Sequence, residues 1–331
     1  MDVVTAALNG DRRALARLLS WAENGTQAGR EAVAALYPQS GTAHVVGITG
    51  ATGAGKSTLV NRLAAAYRAR DRRLAIVAVD PTSPYSGGAL LGDRLRMRDL
   101  VTDAGVFIRS MASRGHPGGI AHATRDVVTI LDAVGFPLIL VETVGAGQAQ
   151  VDIARVAHTV VLVEAPGMGD DIQALKAGLM EIADVIVVNK ADRPEARQTV
   201  RALQSVRQRP RSTGHHGAQG ASNAAPSDAG WETPILETVA LENQGLAELV
   251  EALAEHHRYL QESGRWETLR REHARAEIES WLQHHIVALL GARVGEMRQR
   301  AVVDAVQRRE EDPASAAKHL LDEILAAEVA A

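Results

Sequence analysis

Eight residues, Gly50-Ala51-Thr52-Gly53-Ala54-Gly55-Lys56-Ser57, concentrate the chemistry of this chain. Glycines at 50, 53 and 55 let successive backbone N–H groups turn toward one point and cradle phosphate oxygens, with Ala54 and Thr58 completing the binding loop. The pattern lies between an apolar stretch, His44-Val45-Val46-Gly47-Ile48-Thr49, and a helical one running from about Lys56 to Arg70. The positive end of that helix therefore points at the same place. Lys56 is placed to reach the β/γ-phosphates, and the Ser57 hydroxyl to ligate Mg²⁺. A glycine-rich turn without this chemistry would not need a Lys-Ser pair after its last glycine. The spacing predicts a site for a nucleoside triphosphate.

Asn189-Lys190-Ala191-Asp192 follows the apolar run Asp184–Val188, an N-K-x-D pattern at a strand end. The Asp192 carboxylate can accept from guanine N1–H and N2–H₂ together, whereas adenine would leave it unpaired at a cost of about 1–3 kcal/mol per lost partner. Asn189 and the stem of Lys190 would brace the loops around the base, so GTP and GDP are the expected ligands. Leu138–Gly145 reads as a second strand on the metal side. Glu142 there stands where Asp is usual, its longer arm reaching Mg²⁺ through a water. Gly145 would donate its N–H to the γ-phosphate and move when that group leaves. The next residue, where many GTPases carry a water-positioning Gln, is Ala146, and a glutamine appears only at Gln148. Slow hydrolysis by the isolated protein is expected. Asp80 and Asp93 flank a long Pro/Gly-rich loop as further metal-facing carboxylates, with helix capping the other reading of either. Pro166–Asp171 forms another glycine-rich loop.

These motifs need a scaffold. Apolar strand candidates at 44–49, 74–79, 106–108, 137–142, 158–163, 184–188 and 234–239 alternate with helical stretches at 56–70, 119–134, 171–182, 194–207 and 244–262. Near-continuous Val/Ile/Leu strands are buried on both faces, so an α/β fold with a doubly wound, mostly parallel sheet is expected over 41–263. Residues 1–40 read as an N-terminal extension of two short helices broken at Asn24-Gly25, and 208–230 as a flexible insertion. Beyond 264 the chain reads as a charged helical arm, in which Trp281, Leu282, Ile286, Leu289 and Leu290 form an apolar stripe suited to a second subunit.

Composition narrows the classes. Net charge is −4, so no polyanion-binding surface and no nucleic-acid partner are implied. No run approaches a membrane span and the start lacks a leader pattern, which points to a cytoplasmic protein. Absence of cysteine excludes thiolate metal sites and cysteine nucleophiles. Twelve histidines are scattered, their adjacent pairs 215/216, 256/257 and 284/285 reading as solvated side chains. Only four lysines occur, at 56, 176, 190 and 318, among 36 basic residues. A chain that defaults to arginine keeps lysine at both nucleotide motifs, where a bulkier guanidinium would not fit.

The segments 79–84 (Val-Asp-Pro-Thr-Ser-Pro), 87–97 (Gly-Gly-Ala-Leu-Leu-Gly-Asp-Arg-Leu-Arg-Met), 141–148 (Val-Glu-Thr-Val-Gly-Ala-Gly-Gln) and 169–181 resemble the MeaB/ArgK family of P-loop GTPases that serve adenosylcobalamin-dependent acyl-CoA mutases. The resemblance covers roughly residues 10–200 and 232–290. It implies a homodimer joined through the C-terminal helices, GTP with Mg²⁺, and a mutase partner, such as methylmalonyl-CoA mutase, whose cofactor is delivered by an adenosyltransferase under GTPase control. Carried over by position, Lys56, Ser57, Asp80, Asp93 and Glu142 match the family's phosphate and metal residues. Asn189, Lys190 and Asp192 match its base site, and 165–176 its third switch loop, which contacts the mutase. Thr52 replaces a common proline. Val239-Ala240-Leu241 replaces Ser-Ala-Leu, leaving the Ala240 N–H for guanine O6 but removing the serine brace. Two rival classes stand beside this reading: a kinase passing the γ-phosphoryl to a protein, for which no short motif supplies a base, and a nickel or cobalt metallochaperone, which would call for a His/Cys tract.

Overall fold

The computed structural model describes residues 2–81, 100, 102–113, 119–143, 152–167, 173–207 and 230–329. The apolar runs become seven strands: β1 (His44–Gly50), β2 (Leu74–Pro81), β3 (Val106–Ser113), β4 (Leu138–Thr143), β5 (Thr159–Glu164), β6 (Val185–Asn189) and β7 (Ile235–Thr238). They form one sheet in the order β3-β2-β4-β1-β5-β6-β7, with every pairing parallel. From β1 the chain moves to one side of the sheet for β2 and β3, returns for β4, and crosses to the other side for β5. The crevice at the carboxyl ends of β1 and its neighbours is therefore a topological switch point, where such sheets bind ligands.

Helices cover both faces, as continuous apolar strands require. On one face α1 (Val3–Leu8), α2 (Arg12–Glu23), α3 (Gln27–Leu36) and α5 (Gly119–Ala133) share a core with Val45, Val77, Val79, Ile139 and Val141. On the other, α4 (Lys56–Arg68) and α8 (Leu246–Glu262) pack on Val46, Ile48, Ile76, Leu140, Val161 and Val163. A smaller cluster joins α6 (Gln173–Ile182) and α7 (Ala196–Arg207) to β5 and β6 through Leu162, Leu179, Ile186, Val188 and Leu203.

Two features depart from the sequence reading. The N-terminal segment makes three helices, because a second break lies at Gly10-Asp11: Asp11 caps α2 by accepting from the N–H groups of Arg13 (2.8 Å) and Ala14 (3.1 Å). Strand β3 runs eight residues, past the apolar 106–108. Its polar continuation is sustained by the α2 layer, where Arg109 is ion-paired with the buried Glu23 and also donates to Ser20 Oγ at 3.2 Å. Arg12 ties the same layer down, donating to the Val106 carbonyl at 2.6 Å with its guanidinium over the Phe107 ring.

The chain divides into two compact units, residues 1–270 and 271–331. Helix α9 (Arg265–Arg293) runs through the boundary, and α10 (Gly295–Gln307) and α11 (Pro313–Val329) complete the second unit. There Arg298 pairs with Glu323, while Ile278, Leu282, Ile286 and Val287 of α9 and Met297 and Val303 of α10 are exposed. Among the described residues no helix is long and apolar enough to cross a membrane.

Candidate functional site

The site grows from the end of β1. Gly50 sits at φ +137°, and a Cβ there would lie 2.0 Å from the Val163 carbonyl oxygen of β5, so only glycine lets the chain leave the sheet at this point. The loop closes at Gly55 (φ +92°), which precedes the first turn of α4 and packs so tightly on Asn189 that a Cβ would meet Nδ2 at 2.5 Å. Glycine is thus required for approach as well as for turning. Ala54 is buried beneath the loop and Thr58 is half-buried on the first turn of α4.

Lys56 is buried, and its Nζ donates to the carbonyls of Gly50 (2.8 Å) and Ala51 (3.1 Å). Burial lowers its pKa, and the nearby carboxylates Glu142 and Glu164 work against that shift and favour the charged form. The ammonium is held over the loop by the Gly50 and Ala51 carbonyls. Ser57 Oγ donates to Glu142 Oε1 at 2.6 Å, and both side chains are buried. Glu142 thus meets Ser57 directly. The pair offers two hard oxygen donors beside the phosphate loop, a donor set that fits Mg²⁺. Beside them Thr143 Oγ1 lies 3.2 Å from Thr49 Oγ1 and links β4 to β1 one residue before each strand's functional loop.

The base side is assembled around Asn189. Its Nδ2 donates to the Ala54 carbonyl at 2.9 Å, and its Oδ1 accepts from Thr238 Oγ1 and from the Ala240 N–H, both at 3.1 Å. One amide therefore joins the phosphate loop, the end of β6 and the loop after β7. Lys190 adopts φ +59° and donates from Nζ to the Gly53 carbonyl at 2.7 Å, which lays its stem across the site. Asp192 lines a cleft of about 480 Å³ with Ala191, Thr238, Val239, Gln244 and Glu248. The Ala240 N–H expected for guanine O6 is engaged by Asn189 Oδ1, so a purine oxygen would have to share it. Leu241 is 74% exposed at the loop tip. Asn189 as a keystone is more than the motif alone suggested: Thr238, which secures it, carried no sequence signal beyond being a hydroxyl at a strand end.

The structure brings together Lys56, Ser57 and Glu142 on the phosphate side and Asn189, Lys190, Ala240 and Asp192 on the base side. Asp80 is the penultimate residue of β2, in register with Ala112, its side chain outside the described residues. Asp93, Gly145, Ala146, Gln148, residues 168–172 and the insertion 208–229 also lie outside them, as does the Lys176 side chain. One reading is corrected. His256 of the 256/257 pair is not solvated: it is 2% exposed, because α8 carries it onto Thr159 at the start of β5.

A parallel sheet in this strand order, a glycine-framed phosphate loop and an N-K-x-D loop tied to it define a P-loop GTPase. The chain matches the family described as methylmalonyl Co-A mutase-associated GTPase MeaB over residues 15–294. It belongs to that family. It is 44% identical over 324 residues to a provisionally named GTPase of Pyrococcus abyssi, covering 98% of this chain and 96% of that one. To the GTPase ArgK of Escherichia coli it is 33% identical, over 77% of this chain and 75% of the relative. The mouse mitochondrial methylmalonic aciduria type A homolog is 39% identical over 147 residues, 44% of this chain and 35% of that protein. Among solved structures, one described as LAO/AO transport system kinase superposes with a TM-score of 0.71 at 22% identity, over 98% and 96% of the two chains, a likeness of fold.

Proposed function

We propose that this GTPase is a switch for an adenosylcobalamin-dependent acyl-CoA mutase, methylmalonyl-CoA mutase or a relative, whose cofactor loading and protection it gates. The observation that carries the reading is the family match over residues 15–294 to GTPases named for association with that mutase. The site supports a switch. Ser57 and Glu142 would hold Mg²⁺, which when bound would neutralise charge on the β- and γ-phosphates. Lys56, resting on the Gly50 and Ala51 carbonyls, would exchange these for phosphate oxygens. Asp93, Gly145 and the 165–176 loop would report the γ-phosphate to the partner. With Ala146 after Gly145, turnover by the isolated chain is expected below about one per minute. The exposed apolar residues of α9, recurring at Ile278, Leu282 and Ile286, support a homodimer through this helix.

Purified methylmalonyl-CoA mutase tests the proposal: co-elution with this chain and a rise in GTP hydrolysis of tenfold or more, about 1.4 kcal/mol in the barrier, are expected. If a panel of acyl-CoA mutases neither binds the chain nor alters its hydrolysis, the switch role fails while the GTPase assignment stands. Labelled phosphate transferred from GTP to a protein in cell extract would favour the kinase reading instead.

A further inference from the structure

At the far end of the sheet from the phosphate loop, where β1, β5 and β6 begin, lies a cluster of rings that nucleotide binding does not use. His44 Nε2 is 2.7 Å from Thr159 Oγ1, which is 2.8 Å from His256 Nδ1, and His256 Nε2 stands 3.4 Å from Asp184 Oδ1. Asp184 Oδ2 accepts from the Val160 N–H at 2.8 Å, and Trp231 Nε1–H donates to the Asp184 carbonyl at 2.7 Å. His257 stacks on His44 with centroids 4.3 Å apart and planes 8° from parallel. Trp266, in the first turn of α9, covers His158 at 4.2 Å and His257 at 5.1 Å, while Trp231 packs on His256 at 4.7 Å. His158 Nδ1 accepts from the Val45 N–H at 3.1 Å. Arg265 is the cation acting on Asp184, and the Gln261 amide lies 3.3 Å from His257 Nε2.

The arrangement resembles an acid–imidazole–hydroxyl triad, but Thr159 is fully buried, which removes catalysis and leaves proton accounting. An ionised carboxylate only accepts, so it sets the direction of the chain. His256 Nε2–H points to Asp184, Thr159 O–H to His256 Nδ1, and His44 Nε2–H to Thr159, with each ring neutral. One added proton can be absorbed on Asp184 by running the chain backward, and the next must charge a buried imidazole. We propose that the cluster is a pH-sensitive clamp, holding residues 256–266 on the start of β1 and β5 only while its imidazoles are neutral.

The titration order agrees with this. Burial pushes Asp184 up to about 6. Burial also holds His256 down to about 4, His44 well below its ordinary value with help from His257, and His257 below its own. The raised acid contributes stability that is full below its ordinary 3.8 and lost as pH rises through 6. The lowered histidines act in the opposite sense, their contribution being full above 6.5 and lost as pH falls toward 4. Once Asp184 holds a proton, the next must charge an imidazole buried against two others: His44 is stacked on His257, and His256 is joined to His44 through Thr159. Acidification therefore loosens the clamp.

The test uses the full chain carrying Trp21→Phe and Trp281→Phe, leaving Trp231 and Trp266 as reporters. A reversible change in emission is expected between about pH 6.5 and 5, with fluorescent-GDP affinity and far-UV circular dichroism changed less than about twofold, because the nucleotide site lies at the other end of the strands. His256→Gln with His257→Gln keeps amide donors and acceptors and should move the midpoint down by about one pH unit or more. His257→Gln alone, at a half-buried ring, should move it by about half that and serves if the pair does not fold. Emission flat to pH 5, loss of emission and far-UV signal together, or an unmoved midpoint in the variants would each overturn the clamp. None of these outcomes depends on a mutase.

Discussion

Asn189→Ala is the sharpest test of how the site is held together. The side chain is 3% exposed and makes three hydrogen bonds, to the Ala54 carbonyl, Thr238 Oγ1 and the Ala240 N–H. Each is worth about 1 kcal/mol net, and a buried partner left without water costs about 1–3 kcal/mol. Thr238 is 1% exposed, so at least its hydroxyl is orphaned. The three bonds account for about 3 kcal/mol and the orphaned hydroxyl, unless it finds a new partner, for up to about 3 more. Truncation should therefore cost about 3–6 kcal/mol in total. The loss divides between two measurements, because loops that are no longer held can be reordered by nucleotide at the expense of its affinity. Denaturation followed by circular dichroism reads the first share, and equilibrium titration with a fluorescent GDP the second. A split near the middle would weaken GDP binding by about tenfold to a hundredfold. Thr238→Val, which removes one of the three bonds and keeps the shape, should cost about 1 kcal/mol by the same sum. A combined loss below about 1 kcal/mol for Asn189→Ala would show that the three loops hold themselves in place and that the keystone argument is wrong.

Three further outcomes follow. Asp192→Asn should weaken guanine nucleotides by about a hundredfold and favour xanthine nucleotides, measured by competition, since a carboxylate pairing with two base donors is replaced by an amide. Glu142→Gln keeps an acceptor for the Ser57 hydroxyl but removes its charge, so the Mg²⁺ concentration for half-maximal hydrolysis should rise by about tenfold or more with GDP affinity little changed. Gly50→Ala places a methyl 2.0 Å from the Val163 carbonyl at φ +137°, and the strained backbone alone costs about 1–3 kcal/mol, so a markedly lower melting temperature and no nucleotide binding are expected. A fully stable, GDP-binding Gly50→Ala variant would show that the loop leaves β1 by another path.

Much of this protein is legible in its residues one segment at a time. The phosphate loop, the N-K-x-D turn and the apolar strands are local signals: glycine at fixed offsets, a lysine after the last one, and unbroken Val/Ile/Leu runs that only a sheet covered on both faces can bury. They suffice for a parallel α/β GTPase, and they single out Lys56, Ser57, Glu142 and Asp192 as its candidate site residues. The failures came where a residue's environment is made by a distant segment. Arg109 and Ser110 look like the end of β3, yet the strand continues because Glu23, 86 residues earlier, pairs with the arginine. His256 looks solvated beside His257, and is buried because α8 carries it onto Thr159, 97 residues away. The three bonds of Asn189 likewise join positions 54, 189, 238 and 240. Composition and spacing determined the class of site; the pairing of buried polar groups was decided by which elements the sheet order brings together, since a buried donor or acceptor must find its partner in space and the sequence specifies only neighbours along the chain.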